Sequence, residues 1–159
     1  MLRAVAAVLA AGLLGAGCAG AEPGPALVVR DTGGALLTQV PLPAPEFAVS
    51  YRNSLYGTVA EERYRVTEDG RFGLVELAAD QLAVLEEYYA VPGPVRAAPG
   101  GDRRSWVAEP GDDPVFSELA IAATALGERT VLVPGRPPLP LPPLVTEGVT
   151  VVLDIEERQ

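Results

Sequence analysis

The sequence predicts a mainly β fold, a small antiparallel β-sandwich or open barrel of seven to nine short strands with one short helix. Apolar and polar residues alternate with a period of two in several short runs, as they do in half-buried strands. Clusters of Gly, Pro, Asn and Asp separate these runs, and such clusters are typical of turns. The 159 residues are enough for one domain and too few for two of ordinary size.

The clearest alternation lies in residues 47–66. Phe47, Val49 and Tyr51 alternate with small or polar residues, and residues 53–57 can then turn the chain. A second alternating run follows this turn. We therefore expect a β-hairpin here, and we expect the rest of the sheet to be built around it.

Further strands are expected on both sides of this central hairpin. They are residues 26–30, 35–40, 71–77 and 149–155. The first two form a hairpin across the turn residues 31–34. Pro41, Pro43 and Pro45 interrupt hydrogen bonding after it, so this stretch is an extended crossing or a sheet edge.

Two segments fit either a helix or a strand. In residues 78–91, Asp80 is a candidate N-cap, but alternate residues also fit a strand, and we favour a short helix. In residues 117–127, Ser117 and Gly127 suit the ends of a helix. The spacing of Leu119, Ile121 and Ala123 fits a strand, however, and residues 129–133 are strand-like after a Gly-Glu turn. Because this flanking sequence is β-like, we favour a hairpin formed by these two segments.

Two proline-rich segments are expected to connect these elements. Residues 92–113 predict a long loop with one short strand around Trp106. Residues 135–143 have a polyproline pattern, which we interpret as a stiff connector packed along the domain.

Residues 1–17 have the pattern of a signal peptide. Residues 4–14 are an apolar run too short to span a bilayer, and small residues lead from it to Cys18, the single cysteine. This ending resembles a bacterial lipoprotein lipobox, in which the cysteine is acylated and the chain is cut before it. An ordinary secretory signal or an uncleaved anchor is the alternative. The lipobox implies lipid attachment at Cys18, a tether at residues 18–25 and a single β-rich domain at residues 26–159, held outside the cytoplasm on the bacterial membrane.

The composition excludes several kinds of chemistry. The chain carries 12 Arg against 21 Asp and Glu, a net charge of −9, so it repels nucleic acid and anionic head groups. It contains no His and no Lys, which removes Ser-His-Asp machinery, His-containing zinc sites and Schiff-base lysines. We therefore expect a protein that is not an enzyme and that carries no cofactor and no metal.

The central hairpin also carries a family resemblance. Tyr51-Arg52-Asn53-Ser54 is followed by a short turn and then by Glu62 in the return strand. This pattern resembles the domain of unknown function 1850 family, small exported bacterial proteins with a Tyr-x-His-Ser run, a turn and a Glu. Asn53 stands here where the family has His. Members are often encoded beside TAXI-type tripartite transporters, so the resemblance implies an accessory role in solute uptake.

Asn53, Ser54 and Glu62 form the candidate site. In a hairpin with this turn the three side chains can lie close together, with Glu62 accepting hydrogen bonds from the other two. The cluster is either a polar recognition site for a ligand or a partner, or a set of side chains that satisfies the backbone of the turn.

Paired carboxylates are the remaining candidates for chemistry. The pairs are Glu61-Glu62, Glu86-Glu87 and Asp112-Asp113. Neighbours in a strand point to opposite faces, so a glutamate pair does not by itself supply the facing carboxylates of a glycosidase. The aspartates lack the spacing of a calcium loop. We predict no catalytic residue and no metal ligand.

These observations predict a non-enzymatic, membrane-anchored lipoprotein that assists a TAXI-type transporter by contact with its permease or its solute-binding protein. The alternative is a stand-alone lipoprotein that binds a small molecule or an ion. A more distant alternative is an envelope hydrolase that uses carboxylates alone. The residues predict neither the solute nor the oligomeric state.

Overall fold

A computed structural model describes residues 24–146 and 149–158 of the chain. The described residues are mainly β and form two antiparallel sheets, which confirms the predicted fold class. The strands are β1 (Gly24–Asp31), β2 (Leu36–Pro41), β3 (Glu46–Arg52), β4 (Val59–Val66), β5 (Phe72–Ala79), β6 (Arg96–Ala97), β7 (Trp106–Ala108), β8 (Val115–Phe116), β9 (Glu118–Ala122), β10 (Thr130–Leu132), β11 (Leu139–Pro140) and β12 (Thr150–Arg158). A π-helical turn at Val84–Tyr88 and a 3-10 turn at Pro142–Leu144 also occur.

Long and short strands differ in how well the sequence predicts them. Seven strands have five or more residues, within the predicted range of seven to nine. The other five have only two or three residues and lie where prolines and glycines interrupt the ladder. Twelve strands are therefore described in all, more than the prediction.

The central hairpin lies in the middle of the larger sheet, as expected. The four-stranded sheet has the order β2-β1-β12-β9. The eight-stranded sheet has the order β11-β10-β3-β4-β5-β7-β6, with β8 paired to β5. Val49 of β3 lies opposite Glu62 of β4, and Tyr51 lies opposite Ala60.

A hydrophobic core lies between the two sheets. Its largest contributors are Leu27, Val29, Ile121, Val151, Leu153 and Ile155 from the smaller sheet and Phe47, Val49, Tyr64, Phe72 and Val131 from the larger sheet. Phe72 is fully buried, and its ring meets Phe47 and Tyr64 edge to face at centroid distances of 5.2 and 5.6 Å. Such aromatic packing stabilises by about 0.5–1.5 kcal/mol per pair beyond the burial of area.

A second core covers the rest of the inner face of the larger sheet. Its buried members are Tyr51, Ala60, Leu77, Ala79, Val84, Leu85 and Ala108. Val84 and Leu85 come from the helical turn, so this turn shields a part of the sheet that lies outside the sandwich core. The helix predicted in residues 78–91 is confirmed, but it is a single turn at Val84–Tyr88. Asp80 is not the N-cap of this turn. Ala83 occupies the N-cap position, and no side chain caps the turn by a hydrogen bond.

The strand predicted in residues 117–127 is confirmed as β9, but its predicted hairpin with residues 129–133 is wrong. β9 pairs with β12 in the smaller sheet, whereas β10 pairs with β3 and β11 in the larger sheet. Residues 123–129 therefore cross from one sheet to the other. Ile121 and Val131 face the same core from opposite sides, and local alternation cannot distinguish that arrangement from a hairpin.

The two ends of the sandwich carry different parts of the chain. The Leu42 amide donates to the Pro25 carbonyl oxygen at 3.0 Å, so the crossing from β2 to β3 lies beside the start of β1. β3 runs away from this end and reaches the turn at residues 53–58. The turn at residues 124–128 lies there too, because the Arg52 amide donates to the Gly127 carbonyl oxygen at 2.8 Å. We call the end with Gly24 the tether end and the end with these two turns the loop end.

Some predictions concern residues that are not described. The predicted signal peptide, residues 1–17, and Cys18 lie outside the described residues. β1 begins at Gly24, so the last two residues of the predicted tether belong to the first strand. In the described part of the chain, no helix is long and apolar enough to cross a membrane.

Phe72→Ala tests the sandwich core. Because Phe72 is fully buried among aromatic rings, we expect the substitution to lower the free energy of unfolding by about 3–5 kcal/mol. Urea denaturation followed by circular dichroism measures this loss. Leu36→Ala is the control, since Leu36 is 54% exposed and should change stability by less than about 0.5 kcal/mol. Equal losses in the two variants would contradict the assigned core.

Candidate functional site

Two adjacent glutamates of β4 face opposite sides of the larger sheet. Successive side chains of a strand point to opposite faces. Glu61 therefore lies on the outer face, whereas Glu62 lies on the inner face, level with Val49 and Leu77 of the neighbouring strands. Each carboxylate is surrounded by a different set of polar side chains.

Three arginines surround the Glu61 carboxylate, which is fully buried. Arg103 donates from Nε to Oε1 at 3.1 Å and from Nη2 to Oε2 at 3.0 Å. Arg104 donates from Nε to Oε1 at 2.9 Å, and Arg63 donates from Nη2 to Oε2 at 3.2 Å. Burying an ionised carboxylate costs much free energy, and charge-assisted hydrogen bonds such as these offset that cost by replacing the lost water.

The three arginines are held in turn by further carboxylates. Arg63 forms a bidentate pair with Asp102, at 2.8 and 2.6 Å, and donates to Glu76 at 2.7 Å. Arg104 donates from Nη1 to both carboxylate oxygens of Asp80, at 2.8 Å each. These contacts tie the loop between β6 and β7 to β4 and β5. We call the full set the Glu61 cluster: Glu61, Arg63, Glu76, Asp80, Asp102, Arg103 and Arg104.

The Glu61 cluster is built to stay ionised. Burial alone would raise the pKa of Glu61, but the hydrogen bond from Arg103 and the charges of Arg103, Arg104 and Arg63 outweigh it and lower the pKa. The hydrogen bond from Arg63 lowers the pKa of Asp102 to about 2. Carboxylates with lowered pKa values hold no proton near neutral pH and so cannot act as general acids there.

Two tyrosines donate to the Glu62 carboxylate on the inner face, and a third donates to one of these two. Tyr64 donates to Oε2 and Tyr89 donates to Oε1, both at 2.8 Å. Tyr51 donates to the Tyr89 hydroxyl at 2.7 Å, and the Arg129 guanidinium stacks 4.6 Å above the Tyr51 ring. We call Tyr51, Tyr64, Tyr89 and Glu62 the tyrosine cluster. It lies where the two hydrophobic cores meet, because Tyr64 belongs to the first and Tyr51 to the second.

The tyrosine hydroxyls remain protonated donors. Burial, followed by the negative charge of Glu62, raises the pKa of Tyr89 and of Tyr64 far above the ordinary value. Burial also raises the pKa of Tyr51, against the hydrogen bond to Tyr89. The cluster therefore provides a fixed chain of hydrogen bonds that ends on one carboxylate.

The structure separates the three residues of the predicted site. Asn53 is buried at the start of the central turn, and its Oδ1 accepts from the amides of Leu55 and Tyr56 at 3.0 and 3.2 Å. Ser54 is exposed in the same turn. Within the described residues, Glu62 accepts its side-chain hydrogen bonds from tyrosines and none from Asn53 or Ser54. Asn53 thus has the geometry of a turn-stabilising residue.

The other acidic candidates lie apart on the surface. Glu86, Glu87, Asp112 and Asp113 are all exposed, and Glu87 accepts from the Tyr56 hydroxyl at 2.7 Å. Within residues 24–146 and 149–158, no group of three or more acidic, His or Cys side chains is arranged to hold a metal ion.

A groove of about 800 Å³ crosses the outer face of the larger sheet. Ala48 and Glu76 line it from the strands, and residues 101–103, 133–136 and 138 contribute from two loops. Four arginines also line it: Arg63, Arg65, Arg103 and Arg136. The groove adjoins the Glu61 cluster through Arg63 and Arg103.

The loop end exposes two large apolar side chains. Leu55, in the central turn, is 71% exposed, and Leu126, in the turn at residues 124–128, is 74% exposed. The backbone contact from Arg52 to Gly127 and an ion pair of 2.9 Å between Arg52 and Glu128 join the two turns. Glu128 has φ of 47°, a strained value for a residue with a side chain.

Sequence reasoning missed the Glu61 cluster. Asp102-Arg103-Arg104 is visible as a charged run in a long loop with glycines before it. Such a run is usually a solvated surface. Only the pairing of β4 with β5, and of β5 with β7, brings the loop onto Glu61. The pairing of β5 with β7 joins residues that are more than 25 positions apart in the sequence.

Comparisons of the chain with protein-family models, with curated proteins and with solved structures found no match. The function must therefore be inferred from the residues and their geometry.

Glu61→Gln tests the outer cluster. We expect a loss of about 2–3 kcal/mol at neutral pH, below the roughly 3–5 kcal/mol of a broken, fully buried pair, because Arg63 and Arg104 keep other carboxylate partners. The pKa of Glu61 is lowered from its ordinary 4.5, so its contribution is present above that pH and disappears as the pH falls through the folded-state pKa.

Urea denaturation between pH 7 and pH 3 measures this difference, which should shrink steadily below about pH 4.5. Glu86→Gln, at an exposed glutamate, is the matched control and should stay within about 0.5 kcal/mol of the parent chain. A pH-independent difference would contradict the ionised cluster.

Proposed function

We propose that the protein is a non-enzymatic lipoprotein, anchored by lipid on Cys18 to the outer face of a bacterial membrane, that assists a TAXI-type tripartite transporter. Its partner is the permease or the solute-binding protein of that system. The transporter association is supported by the resemblance at Tyr51-Arg52-Asn53-Ser54 and Glu62. The anchor is supported by the apolar residues 4–14 and the small residues before Cys18.

The chemistry of the described residues supports a role without catalysis. Arginines hold Glu61 and tyrosines hold Glu62, and the two carboxylates face opposite sides of a sheet. Two carboxylates on opposite faces cannot act together on one bond. The chain also contains no His and no Lys to serve as an alternative base or nucleophile.

The loop end is the observation that carries the proposal. Leu55 and Leu126 are the two most exposed of the large apolar side chains in the described structure, and they lie on adjoining turns. Exposed apolar side chains gathered on neighbouring loops are typical of protein contacts. Since β1 begins at the tether end, the loop end lies on the side away from Gly24, where an extracytoplasmic partner can reach it.

A second candidate function is a stand-alone lipoprotein that binds a small molecule. The groove on the outer face favours it, because about 800 Å³ falls within the usual size of ligand pockets.

Cys18→Ser tests the anchor. We expect metabolic labelling with a fatty-acid analogue to mark the parent chain and to fail completely in the variant, because the thiol is the site of acylation. The label is read after electrophoresis, and equal expression is checked by immunoblot. Label on the variant would contradict lipidation at Cys18.

Leu55→Asp with Leu126→Asp tests the docking surface. We expect a transporter permease or solute-binding protein to co-purify with the tagged parent chain in mild detergent, and at least about tenfold less to co-purify with the double variant, because buried charge opposes contact. Quantitative mass spectrometry measures the recovery.

Val115→Asp is the control for this experiment. Val115 is 50% exposed and pairs with Gly73 near the tether end. It should leave the recovery unchanged. Failure to recover either transporter component with the parent chain would count against the accessory role itself.

A further inference from the structure

The arginines of this acidic chain are mostly neutralised by carboxylates. Acidic residues outnumber Arg by 21 to 12, so the chain contains more than enough carboxylates to pair with every arginine. The described arginine side chains that form ion pairs are Arg30, Arg52, Arg63, Arg71, Arg96, Arg103 and Arg104. Arg65, Arg129 and Arg136 form none with a described residue. Arg129 stacks on Tyr51, which leaves Arg65 and Arg136 without a described partner of either kind.

Both of these arginines line the groove on the outer face. Arg65 lies on β4, directly opposite Glu46 of β3. Arg136 lies in the loop after β10, and β10 flanks the other side of β3 because Leu132 pairs with Ala48. The two arginines therefore reach the groove from opposite sides of the first residues of β3.

A third guanidinium faces the groove in a fixed position. Arg103 uses Nε and Nη2 to hold Glu61, and its Nη1 makes no hydrogen bond within the described residues. Its side chain is 55% exposed. The buried Glu61 carboxylate thus anchors this guanidinium from behind, so a ligand would meet a donor that is already ordered.

The acidic residues of the groove are largely committed. Glu76 and Asp102 pair with Arg63 at 2.7 and 2.6 Å. Glu46 is exposed and has no ion pair with a described residue, so it is the one lining carboxylate that competes for Arg65 and Arg136. Among the described residues, the groups of the groove that remain available to a ligand are therefore the guanidinium groups of Arg65 and Arg136 and the Nη1 atom of Arg103. Glu46 is the one lining carboxylate without an ion pair.

We propose that this groove binds a small organic anion with two or three carboxylate groups. Guanidinium groups recognise carboxylates through paired, planar hydrogen bonds. Arginines on opposite sides of β3 can each hold one carboxylate of such a molecule. A monocarboxylate can pair with only one of them, so its attraction to arginine offsets less of the repulsion from Glu46. This inference rests on the second proposed function, ligand binding, and is independent of the lipid on Cys18.

Isothermal titration calorimetry on the full chain in mild detergent tests the proposal with citrate, succinate, acetate and inorganic phosphate. Sodium chloride keeps the ionic strength constant, because exposed charges are screened by salt. We expect saturable binding of citrate, weaker binding of succinate and no saturable binding of acetate. Arg65→Gln with Arg136→Gln should weaken citrate binding by at least about tenfold, the loss expected for one charge-assisted hydrogen bond.

Arg96→Gln is the matched control. Arg96 is 57% exposed and pairs at 3.7 Å with Glu109, outside the groove. It removes one positive charge, as each of the two groove substitutions does, and should change citrate affinity by less than about twofold, because a distant exposed charge is largely screened.

Four outcomes would overturn the proposal. They are no saturable binding of citrate or succinate, unchanged affinity in the Arg65 and Arg136 variant, an equal loss in the Arg96 variant, and binding of inorganic phosphate as tight as that of citrate. Circular dichroism and urea denaturation of each variant show whether a loss of binding reflects a loss of fold. Arg136→Gln alone provides a second variant at a loop position, where no strand pairing can be disturbed.

Discussion

The two-residue period of β4 forces Glu61 and Glu62 onto opposite faces of one sheet, and much of the structure is arranged around that constraint. Glu61 is fully buried and Glu62 is half-buried, so each carboxylate needs donors on its own side of the sheet. The outer carboxylate receives them from arginines that arrive on a distant loop. The inner carboxylate receives them from tyrosines, one on β4 and one just after the helical turn. Loop, helical turn and central strand are thereby fixed to one another.

The same division explains why two hydrophobic cores can share one sheet. A charged side chain on the inner face would ordinarily interrupt apolar packing. Here the tyrosine rings contribute to the cores while the hydroxyl groups of Tyr64 and Tyr89 donate to the carboxylate and that of Tyr51 donates to Tyr89. Tyr64 stacks on Phe47 at 5.0 Å and still donates to Glu62. A polar boundary is therefore formed from side chains that are largely apolar.

Local pattern predicts the long strands, but it predicts neither all of the two- and three-residue strands nor the pairing of strands that are distant in sequence. The alternation at Phe47, Val49 and Tyr51 identified the central hairpin, and a turn follows where Asn53 was expected to make it. In residues 117–127 the same reasoning predicted the strand but not the crossing between sheets, because alternation shows that a residue is buried and not which sheet covers it. The Glu61 cluster depends on contacts between residues about 40 positions apart, and charged residues in a loop give no sign of such a partner. For the candidate site, sequence identified Glu62 as notable but not the tyrosines that surround it.

The pairing of β1 with β12 has a consequence for how the protein folds. Gly24 lies opposite Arg158 and Asp31 lies opposite Val151, so the smaller sheet joins residues from the two ends of the described chain. Among the described strands, β9 pairs only with β12, so β9 joins the smaller sheet only through β12. A chain emerging from its N-terminus can form the central hairpin early, but it cannot assemble the smaller sheet until residues 150–158 have appeared. Pairing over such a separation is slow, because the chain loses the entropy of closing a long loop before the new contacts can stabilise it. Until then the apolar face of the larger sheet stays uncovered, and the folding chain is most vulnerable to aggregation in that interval.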